Sequence, residues 1–225
     1  MRAAPKLFLL TLIGIGCATG LARAQPIASA DSTDPIVAIT AMGLASIQPV
    51  DGFYVGGANS IYLDRGLGGV GAGFGAGVSI VTRRRFVAAA EFNTARISAK
   101  QVGRLVGQEP SRIGQATSRL SDSLVSGLVG VSAASRNPMA LFVAGLSWVL
   151  DAPTVNDVPR DPGRARGRLG FGGGVDVSQS ARQRIALVGS VRYWIVPRQQ
   201  LAKQIGVGPQ IIRIGAGIRV RLTDW

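Results

Sequence analysis

The chain has 225 residues, 47% of them hydrophobic and only 16% charged, with a net charge of +13. That balance excludes a disordered chain, and the length allows one large all-β domain or two small ones. Thirty-one glycines against 6% aromatics are unusual for a compact soluble core; there is no histidine, and Cys17 is the only cysteine.

Residues 1–24 read as a secretory signal peptide. Arg2 and Lys6 form a basic start, Leu7 to Gly16 is apolar but too short to span a bilayer, and Ala22-Arg23-Ala24 fits a cleavage site before Gln25. Cys17 raises lipoprotein processing as an alternative, but Gly14 stands where that pattern wants a branched apolar residue. Without the leader, 22 basic and 12 acidic residues give a net charge of +10. An exported basic chain is expected to meet anionic lipid head groups or lipopolysaccharide phosphates rather than nucleic acid. With no cysteine left, disulfides cannot staple it.

Residues 25–50 are an N-terminal tail or a possible first strand. The first strand is placed at Gly52 to Leu63, with Ile36 to Gln48 as its rival. Gly69 to Val81 has the clearest period of two. Val70, Ala72, Phe74, Ala76, Val78 and Ile80 share one parity, while glycines and Ser79 share the other. Phe86 to Ser98, Met139 to Leu150, Arg168 to Ser178, Arg184 to Val196 and Ile211 to Thr223 repeat the pattern. Asp122 to Ala133 alternates more weakly, with Val125, Val129 and Val131 on its apolar face. Leu120, Leu124 and Leu128 also fit a helix face, so part of residues 111–128 is a candidate helix. The total is eight strands.

The joins at Thr82 to Arg85, Ala134 to Pro138 and Gln179 to Gln183 are tight, and those at 99–121, 151–167 and 197–210 are long. The join at Asp64 to Gly68 is short on the first placement and long on the rival one. This alternation predicts an eight-stranded antiparallel up-and-down transmembrane β-barrel over residues 51–225, with short periplasmic turns and longer outer loops. Both chain ends then fall on the periplasmic side. Pro110, Pro138, Pro153, Pro159, Pro162, Pro197 and Pro209 all fall in predicted connections.

Alternation alone does not say which face is inside. Glu91, Asp176, Arg192, Arg213, Arg219 and Arg221 lie among glycines on the polar face. In a narrow eight-stranded lumen, small residues leave room for a few paired charges, so these six form an expected lumenal charge network. Phe86, Trp148, Tyr193 and Trp225 lie near strand ends, as an interfacial girdle would.

Gly52-Phe53-Tyr54-Val55-Gly56-Gly57, the glycine-alternating strand, the loop pattern and the last strand from Ile212 to Trp225 resemble small outer-membrane β-barrels of the OmpA-like or opacity-protein type. The likeness covers roughly residues 50–225 and rests on pattern. One departure is that Trp225 shares the parity of Arg219 and Arg221, whereas the family ends in an aromatic on the lipid-facing parity. The resemblance implies the bacterial outer membrane, delivery to assembly machinery through the C-terminal strand, and a monomer.

Without histidine or a mature cysteine, the usual catalytic triads and metal sites are missing, and no cofactor is expected. Glu91 and Asp176 could form a carboxylate pair for glycoside cleavage, but their lumenal parity and the nearby arginines favour structural ion pairs. Gly71 to Gly77 lacks the helix start and Gly-Lys-Ser/Thr of a phosphate loop. Arg83-Arg84-Arg85 reads as a solvated periplasmic turn, with contact to anionic inner-leaflet lipid or peptidoglycan as the alternative. Arg160, Arg164, Arg166 and Arg168 are candidate outer-loop contacts for lipopolysaccharide phosphate. The expected function is a structural, non-enzymatic outer-membrane barrel whose loops meet surface partners. A small porin-like channel or transport accessory and a soluble periplasmic lipid-binding barrel are the alternatives.

Overall fold

A computed structural model describes residues 35–52, 60–63, 69–82, 84–106, 113–133, 138–156, 165–182, 184–202 and 205–222. The leader, the motif residues from Phe53 to Gly57, Arg83, Arg160, Arg164 and Trp225 lie outside these residues. The described ones all belong to one unit, Thr33–Trp225.

Eight principal strands form the barrel: β1 Ile36–Gln48, β2 Gly69–Val81, β3 Phe86–Val106, β4 Ile113–Ser132, β5 Met139–Asn156, β6 Arg166–Ser180, β7 Ile185–Ile195 and β8 Gln210–Arg221. Each pairs antiparallel with the next, and β8 returns to β1 through Ala38↔Arg221 to Ile47↔Ile212, so the sheet closes. Closure removes the unpaired edges that an open sheet would expose.

The first barrel strand is therefore the rival segment, Ile36–Gln48, and not Gly52 to Leu63. Within that stretch, Val50–Gly52 pairs with Ile205–Val207, and Ser60–Leu63 pairs with the outer end of β3. The join from β1 to β2 is consequently long. Residues 113–128 are strand throughout rather than helix. Leu120, Leu124 and Leu128 are each buried on the inward face, because a spacing of four is also a multiple of two. The expected long loops shrink in the same way. A tilted strand of about 9–11 residues crosses a bilayer, yet β3 runs for 21 residues and β4 for 20, so this hairpin continues well past the membrane. Pro153 sits inside β5, where the register with β4 is irregular at Arg119/Leu120, a position that tolerates a missing donor.

The turns lie at one end. Between β2 and β3 the Thr82 N–H donates to the Phe86 carbonyl at 2.8 Å and the Arg85 N–H to the Thr82 carbonyl at 2.9 Å. Arg85 adopts φ 63°, a left-handed conformation that glycine would occupy at less cost. The described chain ends meet at the same end, where the Leu222 N–H donates to the Val37 carbonyl at 2.8 Å.

Large apolar side chains cover the outside on all eight strands, among them Ile39, Phe74, Phe92, Val129 at 67% exposure, Leu146, Phe171, Leu187 and Ile218. A folded chain in water buries such a surface, whereas a hydrocarbon surround solvates it. Inside, Leu124, Leu128, Leu141, Val149, Trp194 and Ile211 form an apolar cluster. The glycine parity makes space for it: a Cβ on Gly172 would lie 2.8 Å from Trp194 Cε3, and one on Gly215 would lie 2.7 Å from Leu44 Cδ2.

Candidate functional site: the lumenal ion pairs and the outer mouth

Because the inward parity of each strand meets that of its neighbours across a narrow bore, charges placed there must pair or remain desolvated. They pair in two tiers. Nearer the turn end, Arg192 on β7 holds Glu91 on β3 and, at 2.7 Å, Asp176 Oδ1 on β6. The second oxygen of Asp176 accepts from Arg219 on β8 at 2.7 Å, and Arg219 Nε donates to Thr40 Oγ1 on β1 at 3.0 Å. This chain of contacts reaches five strands.

In the second tier, Asp122 on β4 and Asp151 on β5 face each other in register, an arrangement that like charges oppose. Each is answered from another strand. Arg213 on β8 reaches Asp122 at 2.7 Å, and Arg168 on β6 reaches Asp151 at 2.7 Å. All four side chains are nearly inaccessible. Gln48 Nε2 donates to Asp151 at 3.2 Å. Arg168 Nη1 also donates to the carbonyls of Pro197 at 2.7 Å and Gly208 at 3.0 Å, both in the β7–β8 connection. Two segments of that connection, Gln199–Ala202 and Ile205–Val207, form a small three-stranded sheet at the outer end with Val50–Gly52 from the β1–β2 join. Arg168 thus ties the mouth segments to the barrel wall.

Of the expected lumenal charges, Glu91, Asp176, Arg192 and Arg219 come together, while Arg213 belongs to the other tier. Arg221 is half-buried at the turn-end rim, where its Nη2 donates to Ser180 Oγ at 3.3 Å. Arg168 is a correction: it is buried in the lumen and paired, not displayed on an outer loop. Arg166, two residues earlier, is exposed. Thr40, Gln48, Asp122, Asp151 and Trp194 were not singled out from sequence. Extending the parity of Val149 by two residues would have found Asp151, and the same step outward from Leu124 would have found Asp122.

The space left between Thr40, Glu91, Asp176, Arg192 and Arg219 is about 10 Å³, room for a single water. With each of these acids held by an arginine, the arrangement braces the barrel and leaves neither carboxylate available as a free base.

No protein-family profile and no curated protein matches the chain. Solved structures do. The outer membrane protein OprG from Pseudomonas aeruginosa superposes over 84% of this chain and 97% of its own, with a TM-score of 0.55 and 8% identity. Neisserial surface protein A covers 81% and 97% at a TM-score of 0.41 and 15% identity. Ail of Yersinia pestis covers 83% and 99% at 0.44 and 12%. At such identities the likeness to OprG concerns the fold. Together, the closed eight-stranded meander and the apolar exterior make this chain a small transmembrane β-barrel, with the fold that OprG shares.

Proposed function

We infer that the protein is a structural, non-enzymatic barrel that acts through its outer end, with Arg160, Arg164 and Arg166 meeting lipopolysaccharide phosphate or another anionic surface partner. The observation that carries this reading is the filled bore: ion pairs, Trp194 and leucines occupy the lumen where a solute path would run. The absence of histidine and the arginine held against each lumenal acid favour a non-enzymatic role. Delivery through the C-terminal strand and a monomeric state belong to the same reading, since a closed ring leaves no barrel edge for a second copy.

Two measurements test it. Planar bilayers holding the purified barrel are expected to show no sustained conductance; stable steps would favour a channel instead. Replacing Arg160, Arg164 and Arg166 with Gln is expected to weaken lipopolysaccharide binding several-fold, and unchanged binding would remove these loops from the account.

A further inference from the structure

The turn end differs in charge from the loop end. Its three turns, residues 82–85, 133–138 and 181–184, contain Arg83, Arg84, Arg85, Arg136, Arg182 and Arg184 and not one Asp or Glu. The outer connections mix their basic residues with Asp51, Asp64, Glu109, Asp157 and Asp161. The acids nearest the turn end in sequence, Asp34 and Asp224, belong to the two chain ends. Arg84, Arg85, Arg182 and Arg184 are exposed. Directly above them, Phe86 at 59% exposure and Ile185 face outward at the start of the lipid-facing belt.

Between the two layers lies an open groove of about 440 Å³ lined by Pro35, Thr82, Arg84 and Phe86. Its exposed lining is almost entirely apolar, with Arg84 its one charged residue, and the Thr82 hydroxyl is engaged by the Phe86 backbone. A single cation beside an apolar lining at the edge of the belt matches a phospholipid at the level where phosphate meets acyl chain.

We propose that the turn-end arginines form a collar that selects anionic phospholipids of the inner leaflet, with the phosphate of one lipid held at Arg84 and its glycerol and upper acyl chain against Phe86 and Pro35. The collar is independent of the outer-loop contacts, so either can fail without the other.

The test uses the full folded barrel in detergent with equal amounts of phosphatidylglycerol and phosphatidylethanolamine, and counts retained lipids by native mass spectrometry. The wild type is expected to retain phosphatidylglycerol preferentially, and less so as salt rises. Arg84→Gln is expected to reduce the preference about fivefold, the equivalent of ~1 kcal/mol for one cation at a lipid surface. Replacing all six with Gln should abolish the preference, Arg84→Lys should keep most of it, and Phe86→Ala should reduce retention of both lipids. Heat-modifiable migration of each variant on an SDS gel confirms that the barrel remains closed. Equal retention of the two lipids by the wild type, or a preference untouched by the six replacements, would overturn the proposal. So would arginine-dependent sedimentation with peptidoglycan in place of phosphatidylglycerol selection.

Discussion

The two tiers of ion pairs use the same chemistry to different ends. Near the turns, Arg192 and Arg219 share Asp176 and link strands that are already neighbours or face each other across the bore. Near the mouth, Arg168 divides its donors between one carboxylate and two loop carbonyls. The first tier braces wall against wall, and the second fastens a connection that the strand ladder does not hold. A buried arginine therefore does not define its role by burial alone; its acceptors do.

The comparison breaks most visibly at Asp176. Asp176→Leu leaves two buried arginines short of a counter-charge and is expected to cost about 3–5 kcal/mol, read from urea unfolding in detergent micelles. A loss under ~1 kcal/mol would mean the first tier is not a brace. Val191→Arg supplies a lipid-face reference on β7: a cation near the midplane there is expected to cost about 2–4 kcal/mol in vesicles and less in micelles. Equal effects in micelles and vesicles would contradict the outward assignment. At the turns, Arg85→Gly should stabilise by about 1 kcal/mol by relieving the left-handed backbone, seen as a higher urea midpoint. The finest separation comes from Arg168→Met with Asp151→Leu. Removing both charges is expected to leave barrel stability within ~1 kcal/mol of wild type, while protease added from outside cuts residues 196–209 faster. Unchanged cleavage would show that the mouth is held by something else.

Much of this wall was legible beforehand, because a half-lipid, half-lumen strand must alternate. Val70 to Ile80 and Ile185 to Ile195 point outward as their parity requires. Strand β1 was harder to read for a physical reason. Its inward residues include Met42 and Leu44 and its outward ones Ala41, Gly43 and Ala45, so the two faces differ little in polarity. The outer extensions of β3 and β4 were hidden differently: beyond the membrane no face needs to be apolar, and the period fades while the ladder continues. The pairing of Arg168 could not be read either, since it depends on which strand lies across the bore.

The seam between β1 and β8 has a consequence for timing. Ala38 and Arg221 are register partners although nearly the whole barrel separates them in the chain. Arg219 also bonds Thr40 across that seam, so the brace that spans it joins the first strand to the last. Neither contact exists until the final strand arrives, and contacts so distant in sequence form slowly. An unfinished barrel would expose β1 as an open edge beside an apolar wall, a surface prone to aggregate in water. Until β8 pairs with β1, that edge and the wall beside it stay open together.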